Sequence, residues 1–124
     1  RYFDRADTAF VAAYRKTAPD ASFEVRMDYA ATPALGGRTL ILIDPMLATG
    51  RSLVRAHEAL VAHGSPQSVH VVAAVATPAG LDYTQEHLPE ARFWCGAIDE
   101  GLNDKNYIVP GLGDAGDLAY GPKI

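Results

Sequence analysis

The chain holds one cysteine, Cys95, and so forms no internal disulfide, and its four histidines, at positions 57, 63, 70 and 87, show no zinc-binding spacing. Folding without staples and a reducing, cytoplasmic location are the expectations. No apolar stretch approaches the roughly 20 residues that cross a bilayer, and no basic, apolar and small-residue series opens the chain as a signal peptide would. Positive charge is in short supply as well. With 11 Lys and Arg against 15 Asp and Glu the formal charge is −4, which gives duplex nucleic acid or an anionic membrane no basic footprint to meet. An anionic ligand has to be met by a local site.

What is there is ordinary for a globular domain: 124 residues, 48% hydrophobic and 21% charged. A chain of this length buries roughly two-thirds of its unfolded surface. A single domain over residues 1–124 is expected, with no repeat or linker. Residues 8–15, TAFVAAYR, read as a buried strand ending at the basic pair Arg15 and Lys16, and residues 23–29, FEVRMDY, alternate like a half-buried strand. Together they suggest a hairpin arm. Residues 39–44, TLILID, form a continuous apolar run ending in a carboxylate, which suits a central parallel strand covered on both faces.

Leu53, Ala56, Leu60 and Val61 fall at helical spacing within residues 52–63, with Ser52 as the expected N-cap and Gly64 as the stop. A strand over 69–75, a helix opened by Pro78 with Leu81 and Leu88 toward the core, and a strand over 92–97 follow. Strand, helix, strand, helix, strand is the signature of a parallel sheet with right-handed crossovers. From Asp99 onward the sequence turns glycine-rich and irregular, and an irregular segment of that length on a small domain points to function.

The segment LILIDPMLATGRS carries the clearest chemistry. Ligands of open α/β sheets bind beyond the carboxyl ends of the strands. There Ala48, Thr49 and Gly50 let backbone amides approach a phosphate, Thr49 and Ser52 add hydroxyls, and the next helix adds the positive end of its dipole. Asp44 faces the same crevice, placed to accept from sugar hydroxyls or to help hold a divalent ion. The plain alternative is a strand, a turn and a serine-capped helix with no ligand.

ILIDPMLATGRS resembles the phosphoribosyl-diphosphate (PRPP) loop of type I phosphoribosyltransferases, in the DPMLATG form of the uracil branch, where Asp44–Pro45 stands in place of two adjacent acids. The tail IDEGLNDKNYIVPGLGDAGDLAYG is similar to the uracil-binding segment of that branch. The resemblance covers residues 8–121. It implies an α/β fold of the type I phosphoribosyltransferase (Rossmann-like) kind, with a parallel sheet, crossover helices, a β-hairpin arm and an irregular C-terminal base-binding segment. It also implies a pentosyltransferase that makes UMP and diphosphate from uracil and PRPP in pyrimidine salvage, with Mg2+ bound through PRPP and no metal ligands of the protein's own.

Carried over by motif, the PRPP site is Arg15, Asp44, Pro45, Met46, Leu47, Ala48, Thr49, Gly50, Arg51, Ser52 and Asp114, and the uracil site is Ile108, Gly113, Asp114 and Ala115. Asp114 and Asp44 are the implied catalytic pair. Arg51 departs from the commoner glycine, and the sequence leaves its side chain either in solvent or beside the phosphate. Tyr107 and Pro110 are expected to fix the tail, and the stretch from Lys16 to Tyr29 to close over the site. A homo-oligomer, dimer or tetramer, is also implied.

The resemblance further implies an upstream segment with another PRPP-binding arginine. Because the sequence opens on Arg1, the domain is expected to lack its N-terminal part. The competing reading is a non-catalytic PRPP- or nucleotide-binding regulatory module of the same fold. A third is a different enzyme of this architecture acting on a phosphorylated sugar, against which the tail argues. The histidines and the group Asp99, Glu100 and Asp104 read as surface or turn residues, and Cys95 beside Trp94 reads as core.

Overall fold

The computed structural model describes residues 3–17, 23–104, 106–113, 118–119 and 121, with residues 12–17 and 23–30 described by their backbone alone. The apolar runs become β1 (Phe10–Thr17), β2 (Phe23–Ala31), β3 (Thr39–Ile43), β4 (Met46–Leu47), β5 (Ser68–Ala76) and β6 (Arg92–Ile98). The periodic segments become α1 (Arg51–Val61) and α2 (Pro78–His87), and the tail contributes the two-residue strands β7 (Gly101–Leu102) and β8 (Ile108–Val109).

β5 lies at the centre, parallel to β3 and β4 along one edge and to β6 along the other. β4 continues β3 without a change of register, because the ladder carries on through the break: the Asp44 N–H donates to Val72 O, and the Val75 N–H to Pro45 O. Helix α1 connects β3 and β4 to β5, and α2 connects β5 to β6. Both crossovers step in the same direction across the sheet. Right-handed connections therefore put both helices on one face, where α1 packs against α2.

The core forms between those helices and that face. Leu40 and Leu42 of β3, Leu47 of β4, Val71 and Ala73 of β5, and Leu53, Val54 and Leu60 of α1 are all buried. Full burial of each leucine or valine side chain contributes about 1.5–3 kcal/mol before ordering costs. The opposite face is less covered. Ile41, Ile43 and Trp94 are 40%, 73% and 56% exposed, and Trp94 Nε1–H donates to His70 Nδ1 at 3.1 Å across that face.

Two expectations change here. The run at 39–44 is neither central nor covered on both faces: among the described residues β3 sits at the edge and alternates between exposed and buried, while the β-branched run of β5 takes the centre. The first strand runs on to Thr17 instead of ending at Arg15, and Phe10 at its start is exposed instead of buried. The expected hairpin is present: β1 and β2 pair antiparallel with an irregularity between Ala12 and Ala13, and β2 rests beside α1. Among the described residues, no helix is long and apolar enough to cross a membrane.

Candidate functional site

The corner where β3 and β4 meet α1 is organised by backbone geometry. Pro45 has no N–H, so the amide after it, at Met46, turns to the side chain of Asp44 and donates to Oδ1 at 3.1 Å. Burial pushes the Asp44 carboxyl above the ordinary range, and the Met46 hydrogen bond opposes that only partly. The chain then turns at residues 48–50 into the helix.

Gly50, not Ser52, is the N-cap of α1, at φ 73° in the left-handed region, and it offers no side-chain cap. Ser52 is the second helical residue and half-buried, because the left-handed turn at Gly50 puts the N-cap two residues earlier. The first turn also carries no acidic residue. The amides that open α1 thus meet no capping side chain from Gly50, and no acidic residue of the first turn offsets the positive end of the helix. Arg51, first in the helix, is exposed.

The N-terminus of α2, by contrast, is capped by a side chain. Thr77 caps it, accepting the Gly80 N–H at Oγ1 at 2.9 Å, with Pro78 following at the first helical position. The same hydroxyl donates to the Ala48 carbonyl at 2.6 Å, and the Thr77 N–H donates to the Leu47 carbonyl at 3.1 Å. Thr77 and Thr84 are both fully buried.

Glycine is required on both sides of this contact. A Cβ on Gly80 would press into the Ala48 carbonyl oxygen and sit 2.7 Å from Leu47 O, and one on Gly50 would meet Thr84 Oγ1 and lie 2.8 Å from Gly80 O.

The tail is fastened to the same end of the sheet. The Asp99 N–H donates to Ala76 O at 2.9 Å, and the Asp99 carboxylate accepts the Gly111 N–H through Oδ2 at 2.8 Å. Asp99 is therefore a half-buried anchor, not a solvated turn residue, because the β6 strand end delivers its carboxylate under a backbone amide twelve positions on.

β7 and β8 pair antiparallel, so the tail is less irregular than the glycine content suggests. Asn103 and Tyr107 close the intervening turn: the Asn103 N–H donates to Tyr107 O, and the Tyr107 N–H to Asn103 Oδ1. Ile108 is buried to 1% exposure, and Gly113 adopts φ 71°. Asp114 and Ala115 lie outside the described residues, as does the side chain of Arg15.

An open groove of roughly 990 Å³ follows the β3 edge, bounded by Phe3, Asp7, Phe10 and Ile41 and reaching Asp44 and Ser52 at one end. Among the described residues no three His, Cys, Asp or Glu side chains group closely enough to hold a metal ion. His57 is half-buried on α1, with its pKa lowered by burial against the opposing charge of Glu58. Cys95 packs against the core, and burial pushes its thiol up, away from reactivity.

Sequence reasoning found the loop at 44–52 and missed Thr77, Gly80, Thr84 and Asp99. The pair Thr77–Pro78 carried a legible sign, an N-cap followed by proline at the first helical position. The contacts of Gly80, Thr84 and Asp99 join segments far apart in the chain and leave no local sign.

A family model described as uracil phosphoribosyltransferase matches residues 5–122. Curated relatives called uracil phosphoribosyltransferase include one from Porphyromonas gingivalis, 44% identical over 124 residues, covering 99% of this chain and 57% of its own. Another, from Pyrococcus furiosus, is 40% identical over 125 residues, covering 100% of this chain and 53% of its own. A solved structure of the AQ2163 protein from Aquifex aeolicus superposes with a TM-score of 0.82 at 39% identity, over 94% of this chain and 54% of that one. The chain thus spans little more than half the length of the relatives it matches.

Proposed function

Because the chain belongs to the uracil phosphoribosyltransferase family, we propose that it forms the PRPP- and uracil-binding portion of an enzyme that makes UMP. Uracil N1 displaces diphosphate from C1 of PRPP: the N1–C1 bond forms, the C1–O bond breaks, diphosphate leaves with the electron pair, and the N1 proton is released. Charge develops at C1 in an oxocarbenium-like transition state, so positioning and electrostatics supply most of the rate. Magnesium enters as part of the substrate, bound to PRPP, in a cytoplasmic setting.

The observation that carries this reading is the uncapped start of α1 beside a half-buried carboxylate, Asp44. In the reaction, amides of Thr49, Gly50, Arg51 and Ser52 hold the 5′-phosphate, Ala48 shapes the turn with its own N–H on Met46 O, and Asp44 accepts from the ribose hydroxyls. Met46 and Leu47 hold the loop in line behind Pro45. This arrangement lets an acidic protein bind a phosphate without a basic patch. Arg15 meets the diphosphate.

In the tail, backbone groups at Ile108, Gly113 and Ala115 read the acceptor-donor-acceptor edge of uracil, and Asp114 spans base and ribose. A rigid backbone edge rejects cytosine, whose N3 acceptor and N4 donor meet groups of their own kind and leave them unpaired. The active unit is a homo-oligomer.

The test is UMP formation from uracil and PRPP with magnesium by the full native chain. Activity with a purine or orotate in place of uracil would remove the substrate assignment. Ribose-phosphate binding without turnover would favour a regulatory module instead.

A further inference from the structure

We infer that Thr77 is a positioning residue for the phosphate-binding loop, acting through the Ala48 carbonyl and not on the substrate. This rests on the reading that residues 49–52 hold the 5′-phosphate. Thr77 is fully buried where β5 passes into α2, and its one hydroxyl works in two directions: it donates to Ala48 O at 2.6 Å and accepts the Gly80 N–H at 2.9 Å. Its backbone N–H takes the Leu47 carbonyl as well.

Two successive loop carbonyls are thereby turned inward, toward α2. A peptide unit whose C=O points in has the N–H of the same plane pointing out; the Ala48 N–H is held by Met46 O at 2.9 Å, so it is the Thr49 amide, in the plane of the Ala48 carbonyl, that Thr77 turns out toward the loop's open side. Gly80 and Gly50 let α2 approach closely enough for this, and Thr84 completes the contact by donating to Gly80 O at 2.7 Å. Thr77 thus joins two tasks, capping α2 and setting the loop, and serine should do both where valine can do neither.

The experiment compares wild type, Thr77→Val and Thr77→Ser in the full native chain. It measures KM for PRPP, KM for uracil and kcat, together with ribose 5-phosphate binding by titration calorimetry. Valine keeps the shape and leaves the Ala48 carbonyl and the Gly80 amide without their partner. KM for PRPP is expected to rise about tenfold, KM for uracil to stay within about twofold, and serine to restore the wild-type value within about threefold.

If valine does not fold, Thr77→Ala is measured in its place at reduced temperature with the same expectation. Unchanged PRPP and ribose 5-phosphate affinity in a folded variant, equal loss for PRPP and uracil, or no rescue by serine would overturn the role of Thr77. A wild type that binds neither PRPP nor ribose 5-phosphate would instead remove the functional reading, and this inference with it.

Discussion

The Asp99 carboxylate accepts the Gly111 N–H at 2.8 Å, and this contact joins the carboxyl end of β6 to the segment that carries Gly113. Asp99 is also bonded through its own N–H to Ala76 O, the residue before Thr77. The two loops of the site are therefore pinned to adjacent residues at the end of one central strand.

Removing the Asp99 acceptor should loosen the proposed base side of the site more than the proposed phosphate side. Asp99→Ala is expected to raise KM for uracil roughly tenfold, in line with leaving a half-buried amide unpaired, with KM for PRPP changed far less. Asp99→Asn, which keeps an acceptor, should stay near wild type. Steady-state kinetics with each substrate varied in turn checks both.

Asp44→Asn should separate stability from activity. Partial burial holds the Asp44 carboxyl above the ordinary carboxylate range, so between the unfolded and folded values the folded state keeps a proton that the unfolded state releases. Folding stability is then greatest below the unfolded value and falls as pH rises toward the folded one. The neutral amide avoids that loss and still accepts from the Met46 amide. The variant should melt at a higher temperature than wild type near neutral pH, match it in acid below the unfolded value, and lose most of its turnover. Thermal melts across that window, paired with UMP assays, test the sign.

Gly80→Ala should be costly, because the new methyl would press on the backbone oxygens of Ala48 and Leu47, which cannot swing away as a side chain can. A loss of about 1–3 kcal/mol in folding stability is expected, along with weaker PRPP binding. Gly36→Ala, with nothing within 4 Å of the added carbon, is the control and should stay within about 0.5 kcal/mol of wild type. Urea denaturation of the two variants reads the difference.

Arg51→Glu should move stability and binding in opposite directions. A carboxylate in the first turn of α1 suits the helix dipole, by about 0.3–1 kcal/mol, while placing negative charge beside the proposed phosphate site. Melting temperature should rise slightly and PRPP affinity fall, with the affinity loss smaller at high salt.

The parts of this fold that were legible in the sequence are those set by local pattern. Leu53 and Leu60 at helical spacing gave α1, and the β-branched run of 69–75 gave β5. The hairpin followed from alternation in residues 23–29. What escaped reading depended on neighbours distant in sequence. The run Leu40–Ile41–Leu42–Ile43 is equally apolar at every position, so nothing in it tells an edge strand from a central one. Ser52 looked like a cap because serine favours that position, yet a left-handed Gly50 took the place. Within the candidate site, the loop at 44–52 was legible because its chemistry is written in consecutive residues. Its supports were not, because Thr77, Gly80 and Thr84 act by tertiary contact, and Asp99 resembles any turn acid until Gly111 is seen above it.

Trp94 is the only tryptophan in the chain, and it stands 56% exposed on the sheet face away from the helices, beside His70. The molecule therefore carries its own optical probe on the side opposite its core. In the chain as described, the indole should emit at long wavelength, as a wetted ring does. Any polypeptide that settles over Ile43 and its neighbours would dry that ring and move the emission toward the blue, so a fluorimeter could follow the covering of this face without any label.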